Sequence, residues 1–230
     1  MLEMFRVEAL DLSLQDFDWR FARERRGEID AHFAKLRERK PAMWNGRVLL
    51  MHRHEIAGAT LRGSYFETDF ASFVAWRDFG FPDAAVKNAF ALGALQGSDG
   101  GYVMGVMGAH TMNAGKVYFP GGTPDLNDLT GGEVDLESSV RREVEEETGL
   151  SPAEFEIDAG WHCIPAGPMI ALLKPMRAKV SAAHLCERIR DHIASERNPE
   201  LADAVVARGA DDIRPTMPGF IQTFLRSLAR

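Results

Sequence analysis

The chain has 230 residues, of which 45% are hydrophobic and 27% are charged, and its formal net charge is −7. This length predicts one large domain, or a medium domain with an extension, and excludes a chain that needs disulfides to compensate for a small core. The acidic balance argues against binding of long nucleic acids, which usually contact a basic face. A small anionic substrate is compatible with it if a metal or local arginines neutralise the substrate.

The two cysteines, Cys163 and Cys186, form neither a CxxC pair nor a metal-ligand spacing, so two reduced thiols are expected. The first residues, MLEMFRVEALDLSL, have no basic lead and no uninterrupted apolar run, and they do not read as a signal peptide. No stretch approaches the roughly 18 consecutive apolar residues that a membrane-spanning helix needs. We therefore expect a cytoplasmic protein with no membrane partner, and the sequence sets no expectation for its oligomeric state.

In the first third of the chain, residues 4–14 alternate loosely and predict a strand. Residues 15–39 have apolar side chains at helical spacing, with Gly27 as an interruption and Pro41 after the end. The stretches GRVLLMHRHEIAG and TLRGSYFETDF predict a strand pair, and ASFVAWRDFG predicts a short helix that ends at Gly80.

In the middle of the chain, FALGALQGSDGGYVMGVMG predicts two strands joined by a GSDGG turn, and GKVYF predicts a strand that runs into PGG. Residues 123–134 are rich in turn formers and predict a loop. Residues 136–148 predict a helix, with Asp135 as its N-cap and Gly149 just after its end.

In the last third, AEFEIDAGWHCIPAGPMIALLKPM predicts strands broken near Pro165 and Gly167, and SAAHLCERIRDHIASE predicts a helix capped by Ser181. ADAVVARG predicts a short strand, and PGFIQTFLRSLAR predicts a terminal helix. Strands mixed with helices favour an α/β or α+β sandwich. Because nothing between its two halves resembles a linker, we expect residues 1–90 to be an N-terminal extension integrated with a main domain of residues 91–230.

The segment RREVEEETGL places four glutamates within five positions. Residues three and four apart share a helix face, so Glu143, Glu146 and Glu147 converge while Glu145 points elsewhere. The like-charged pair at i,i+4 costs roughly 0.2–0.5 kcal/mol. Carboxylates in the last turn also face the negative end of the helix dipole, at roughly 0.3–1 kcal/mol each.

Two interpretations of this cluster are open from the helix alone. A solvated acidic face tolerates these costs because water and salt screen them, and it is the commoner case. A divalent cation would remove the repulsion, and Mg²⁺ suits convergent carboxylates because it takes oxygen ligands and keeps several waters beside substrate phosphates.

The context upstream changes this balance. FPGG at 119–122 ends a strand, and glycine lets backbone come close to a ligand. Together with REVEEETGL, it resembles the Nudix hydrolase family. The signature of that family is a glycine, five residues, a glutamate, seven residues, then Arg-Glu-hydrophobic-any-Glu-Glu-any-Gly-hydrophobic. The second half is matched at every position from Arg142 to Leu150.

The first half of the signature departs from the family pattern. Counting back from Arg142, the family glutamate falls on Val134 and the family glycine falls on Asp128, because the loop after PGG is longer than usual. Glu133 and Glu137 are the candidates to stand in for the missing glutamate.

The resemblance implies an α+β fold of the Nudix type, with a mixed sheet sandwiched between helices and an N-terminal α/β extension. It also implies hydrolysis of a nucleoside diphosphate linked to another moiety. By the same resemblance, Glu143, Glu146 and Glu147 would bind Mg²⁺, with Mn²⁺ as a substitute, and Arg142 would orient them.

The remaining roles follow from the same resemblance. Gly121 and Gly122 would bring main-chain atoms close to the metal or the diphosphate. Glu146 or Glu143 would accept a proton as general base. Glu196 and Glu200 lie where this family sometimes supplies a further acidic residue, although a solvated charge is the commoner explanation for both.

The sequence says less about the substrate. PAMWNGRVLLM is similar to Nudix proteins that cleave UDP-sugars, whereas FPGGTPDLNDL is similar to coenzyme A diphosphatases; we favour a nucleotide sugar. Trp44 could stack on a base and Asn45 could bond a sugar, but a core tryptophan and a turn asparagine are the commoner explanations. A Nudix-fold module that binds a nucleotide without cleaving it is the alternative from another functional class.

Overall fold

The computed structural model describes residues 2–41 and 43–228. The helices are α1 (Arg20–Glu24), α2 (Arg26–Arg39), α3 (Phe70–Asp78), α4 (Leu136–Thr148), α5 (Ala182–Ser195) and α6 (Gly219–Ser227). The strands are β1 (Phe5–Val7), β2 (Ala9–Leu14), β3 (Arg47–Ala57), β4 (Thr60–Asp69), β5 (Asn88–Gln96), β6 (Tyr102–Met107), β7 (Val117–Tyr118), β8 (Gly121–Gly122), β9 (Leu129–Thr130), β10 (Glu133–Val134), β11 (Phe155–Ile157), β12 (Trp161–Ala166), β13 (Met169–Ala178) and β14 (Leu201–Ala207). Within residues 2–41 and 43–228, no helix has both the length and the apolar composition needed to cross a membrane.

The strands form two mixed sheets. The larger has the order β1-β12-β13-β5-β6-β14, with β11 beside β13, β7 beside β6 and β8 beside β5. Its central pair, β13 and β5, is parallel, and its other pairs are antiparallel. The smaller sheet has the order β3-β4-β2-β10-β9, with β2 and β4 parallel.

The larger sheet is covered on both faces. A Cβ on Gly93 of β5 would lie 2.6 Å from Val144 of α4, whereas Phe90, three residues earlier on the same strand, packs its ring 5.3 Å from that of Phe220 in α6. Positions an odd number apart on a strand face opposite sides. Helices α4 and α6 therefore lie on opposite faces, which confirms the predicted α+β class with a mixed sheet between helices.

The N-terminal region shares both sheets with the rest of the chain. Strand β1 pairs with β12 in the larger sheet, and β2 pairs with β10 in the smaller one. Strand β5 runs across residue 90. The division into 1–90 and 91–230 stays a prediction about domain organisation, and the strand pairing describes how closely the two parts are joined.

Two local predictions need correction. The helical pattern of residues 15–39 is interrupted at Arg25, between α1 and α2, rather than at Gly27. Residues 123–134, predicted as a loop, contain a short 3-10 helix at Leu126–Asp128 and the strands β9 and β10. These two strands form because the edge of β2 offers backbone groups that need partners, and the Gly-Gly pair between them is a hairpin signal that the sequence did contain.

Helix α4 begins and ends where its sequence predicts. The carboxylate of Asp135 accepts hydrogen bonds from the backbone N–H and the hydroxyl of Ser138, and Gly149 adopts a left-handed φ of 66° after the last turn. The buried side chains Val140 and Val144 face Gly93, whose lack of a side chain lets the helix lie close to the sheet. The orientation of α4 is therefore set by its caps and by this close contact.

Replacing Gly149 with alanine tests the left-handed end of α4. We expect a loss of about 1–2 kcal/mol in the free energy of unfolding, because a residue with a Cβ is disfavoured at this φ and the new Cβ would lie 2.5 Å from the ring of His192. The matched control is Gly27→Ala, which lies inside α2 with open space around it and should stabilise the protein by about 0.4–1 kcal/mol. Urea unfolding measures both, and a neutral Gly149→Ala would contradict the prediction.

Asp99, in the turn between β5 and β6, links that turn to α5 and to the segment after β14. Its carboxylate accepts hydrogen bonds from Arg208 at 2.6 Å and from the backbone N–H of Ala182 at 2.9 Å. These two bonds, the first being the stronger, lower the pKa of Asp99 to about 2. An unfolded aspartate titrates near about 3.9, so the carboxylate stabilises the fold above that pH, and its contribution is lost as the pH falls through about 2.

The variant Asp99→Asn should therefore be less stable than the wild type by a constant amount above pH 5, and the gap should close as the pH falls from about 4 to about 2. Urea unfolding at a series of pH values measures this gap. A gap that does not change with pH would show that the charge of Asp99 is not what matters.

Candidate active site

The last turn of α4 is tied to the PGG segment by a buried carboxylate. The backbone N–H of Gly121, in β8, donates to Oε1 of Glu147 at 2.9 Å. Glu147 is only 8% exposed, and its Oε2 is buried without a hydrogen-bond partner among the described residues. A buried polar atom without a partner costs about 1–3 kcal/mol, and more if it is charged. A cation or a proton bound to Oε2 of Glu147 would therefore remove this free-energy cost.

Gly121 makes this contact possible because no other residue fits there. Its φ is 129°, and an added Cβ would lie 2.3 Å from the carbonyl oxygen of Ala91 on the neighbouring strand β5. Gly122 is different, since an added Cβ there would meet open space. The close backbone approach thus belongs to Gly121, and a role of Gly122 beside a diphosphate stays a prediction.

Arg142 lies at the centre of the acidic side chains. One of its terminal nitrogens donates to Oε1 of Glu143 at 2.6 Å and to Oε2 of Glu146 at 3.2 Å. The other donates to Oδ1 of Asp128 at 2.9 Å. Glu145 contributes its backbone carbonyl to the N–H of Gly149 and is exposed to solvent. Glu143 and Glu146 therefore share Arg142, while the side chain of Glu145 lies apart from them.

Burial and crowding raise the proton affinity of two of these glutamates. Burial raises the pKa of Glu143 to about 7; Arg142 counteracts this, while Glu146 and Glu200 add to it. Burial also raises the pKa of Glu147 well above its usual range; the bond from Gly121 opposes this, and the charges of the nearby carboxylates reinforce it. Burial and mutual repulsion raise the free-energy cost of ionising these carboxylates, and a nearby positive charge would lower that cost.

Glu143, Glu146 and Glu147 form what we call the acidic group. Glu200, from another part of the chain, lies near enough to affect the pKa values of two of its members. Although the residue as a whole is exposed, protein around its carboxyl group raises its pKa, an effect that His110 opposes and Glu146 reinforces. Its backbone carbonyl accepts from the N–H of Gly108 at 2.8 Å, which holds it beside the loop after β6. Glu196 differs, because its carboxylate lies 3.5 Å from His192.

Neither predicted stand-in for the family glutamate lies with the group. Glu137 is bound to Lys174 at 2.6 Å and to Arg141 at 2.7 Å, and Glu133 is exposed in β10. The acidic partner of Arg142 is instead Asp128, a residue that counting places at the family glycine. The longer loop folds back and brings Asp128 to the arginine, while a role of Glu133 or Glu137 beside a metal stays a prediction.

The two residues proposed to contact substrate from the N-terminal region have different environments. Trp44 is 80% exposed, so the preferred interpretation of a core tryptophan was wrong. Oδ1 of Asn45 accepts from the backbone N–H of Ala71 at 2.8 Å, in the first turn of α3, and this bond gives the amide a structural role. Contact of either side chain with a substrate stays a prediction.

The chemistry of two of these carboxylates fits a divalent cation. Within residues 2–41 and 43–228, no three Asp, Glu, His or Cys side chains are grouped closely enough to hold a metal ion. Mg²⁺ usually takes one or two protein carboxylates and completes its shell with waters and substrate phosphates. Glu143 and Glu147, one turn apart on the same face of α4, offer such a pair, and the unpartnered oxygen of Glu147 supports the assignment.

No protein-family model and no curated protein matches the sequence. Among solved structures, the chain is similar to the MutT protein from Methanosarcina mazei Go1, with 19% identity and a TM-score of 0.40 over 63% of this chain and 94% of that one. It is also similar to the E. coli ORF135 protein, with 14% identity and a TM-score of 0.37 over 62% and 90%.

A third similar structure is DR0079 from Deinococcus radiodurans, with 15% identity and a TM-score of 0.39 over 80% of this chain and 99% of that one. These are likenesses of fold.

The variant Glu147→Gln tests whether the buried carboxylate is kept for a cation. In EDTA at pH 8 its melting temperature should equal or exceed that of the wild type by up to about 4 °C, roughly 1 kcal/mol for a chain of this size, since an unpartnered charge is removed. Added Mn²⁺ should raise the melting temperature of the wild type but not that of the variant.

The control for this test is Glu145→Gln, on the same helix but outside the acidic group, which should keep the full Mn²⁺ response. Scanning calorimetry or dye-based melting measures all three proteins. A Glu147→Gln protein that is clearly less stable in EDTA would show that the carboxylate is a structural group.

Proposed function

We propose that the protein is a Mg²⁺-dependent hydrolase of the Nudix type, which cleaves the pyrophosphate bond of a nucleoside diphosphate linked to another moiety. The observation that carries the proposal is the arrangement around Glu147, whose buried and unpartnered oxygen lies next to the PGG segment and one turn from Glu143. Its complement is the matched second half of the signature, which supplies every residue of this arrangement on α4.

Glu143 and Glu147 would hold the metal, with Mn²⁺ as a substitute for Mg²⁺, and Glu146 is available as a further ligand. When bound, the ion neutralises the charge of the diphosphate and lowers the pKa of a water molecule. Arg142 keeps the carboxylates of Glu143 and Glu146 in place by charge-assisted hydrogen bonds. Gly121 keeps the backbone of β8 close to the same point.

In the reaction, a water oxygen attacks one phosphorus, the bond from that phosphorus to the bridging oxygen breaks, and the second phosphate leaves with that oxygen. A carboxylate must accept the proton of the water. We assign this role to Glu146, because its side chain is 61% exposed and only one of its oxygens is bound by Arg142. Glu143 and Glu200 are the alternatives.

The substrate within this class is proposed from the sequence resemblance. A nucleotide sugar is favoured, and a coenzyme A-type diphosphate is the second candidate. A non-catalytic nucleotide-binding module is less consistent with the site, because binding of a nucleotide alone gives no reason to bury the carboxylate of Glu147 and leave one of its oxygens without a partner.

The substitution Glu146→Gln should lower kcat by about 10²–10⁴-fold, the usual contribution of a positioned general base, while its melting temperature stays near that of the wild type because the side chain is largely exposed. Glu145→Gln, a change of the same chemistry on the adjacent residue, should leave kcat unchanged. Phosphate release coupled to a phosphatase measures turnover of nucleotide sugars, coenzyme A, dinucleoside polyphosphates and ADP-ribose with Mg²⁺ or Mn²⁺.

The same measurements separate the alternatives. Turnover by the wild type in EDTA equal to that in Mg²⁺ would remove the metal from the reaction. Binding of these compounds without turnover of any of them would favour the module, and undiminished turnover by Glu146→Gln would remove this residue from the mechanism.

A further inference from the structure

The long loop after PGG, residues 123–134, places a buried carboxylate against Arg142 of α4. Asp128 closes the 3-10 helix Leu126–Asp128, and its side chain is 2% exposed. Buried carboxylates are rare unless they are paired. Here Oδ1 accepts from Arg142 at 2.9 Å and Oδ2 accepts from the backbone N–H of Asp125 at 2.9 Å, so both oxygens are occupied.

The main chain of Asp128 is tied to the same helix. Its carbonyl oxygen accepts from the backbone N–H of Asp135, the N-cap of α4, at 2.8 Å. One residue thus holds α4 at its start through the backbone and at Arg142, seven residues later, through the side chain. Since side chain and backbone are both fixed, Asp128 has little freedom to move away from the arginine.

Arg142 in turn holds two members of the acidic group. The nitrogen that is not bonded to Asp128 donates to Glu143 and Glu146. An arginine fork that is anchored on one side presents its other side in a fixed direction. If the anchor is lost, the guanidinium is free to follow Glu146, which is largely exposed, and the position of Glu143 is no longer defined.

We propose that Asp128 is the positioning residue that replaces the glutamate missing from the first half of the signature, and that it acts on the reaction only through Arg142. The proposal rests on the hydrolase function proposed above. It also explains how a lengthened loop is compatible with an intact second half of the signature, since the loop supplies the acidic anchor from a different position.

The test is a double-mutant cycle of Asp128→Asn and Arg142→Gln. Asparagine has the shape of aspartate and can still accept from Asp125, but it lacks the charge. We expect Asp128→Asn alone to lower kcat by about 10–100-fold, the usual effect of losing an outer partner of a metal ligand, and to weaken Mn²⁺ binding in the absence of substrate by a similar factor. In the Arg142→Gln background the same change should alter kcat by less than about twofold, because the arginine through which Asp128 acts is already absent.

The matched control is Asp125→Asn, a loss of one charge in the same 3-10 helix. Asp125 caps that helix through Asn127, and asparagine caps as well as aspartate, so kcat and Mn²⁺ affinity should stay within about twofold of the wild type. Turnover of the substrate identified in the screen gives kcat, and electron paramagnetic resonance of free Mn²⁺ gives the affinity.

Equal effects of Asp128→Asn in the wild-type and Arg142→Gln backgrounds would overturn the proposal, because Asp128 would then act independently of Arg142. A wild-type kcat in an Asp128→Asn protein would overturn it as well, while the hydrolase function would stand. A wild type that turns over none of the compounds overturns the proposed function, and this inference with it. If Asp128→Asn does not fold, Asp128→Ser, which keeps an acceptor for Asp125 and removes the pair, is expected to give the same pattern.

Discussion

The bond between Gly121 and Glu147 is the interaction on which the rest of the site depends. It fixes the last turn of α4 against β8, and β8 is held in turn by β5 at the centre of the larger sheet. Because the carboxylate is buried, its second oxygen must find a partner or remain costly. That requirement is the physical basis for the cation proposed at this helix end.

The costs of this site are offset by the packing of α4. Val140 and Val144 are buried against β5, where Gly93 allows close contact, and the helix has both an N-cap and a left-handed glycine after its end. Buried apolar area and caps each contribute stability that does not depend on the carboxylates. The helix can therefore carry like charges at its C-terminal end and still keep one orientation.

The N-terminal region contributes to the same geometry. Strand β2 pairs with β10, just before the N-cap of α4, and the backbone N–H of Leu49 in β3 donates to Pro124 in the long loop. The smaller sheet thus gives the lengthened loop a surface to follow. With the loop ordered in this way, the carboxylate of Asp128 reaches Arg142.

The sequence by itself determined the features that depend on neighbours along the chain. The bounds of α4, its caps, the separation of Glu145 from the other three glutamates and most of the strands follow from spacing, capping and turn chemistry. Even the Gly-Gly hairpin between β9 and β10 had a local signal, although the richness of the segment in turn formers concealed it.

Only the tertiary structure decided which distant residues complete the site. The pairing of Asp128 with Arg142, the approach of Glu200, and the exposure of Trp44 all depend on how the long loop and the strands pack together. Such contacts join residues that are far apart in sequence, and no periodicity or spacing encodes them. The physical reason is that burial and backbone pairing are satisfied by the whole fold at once, so the partner of a side chain is chosen by proximity in space.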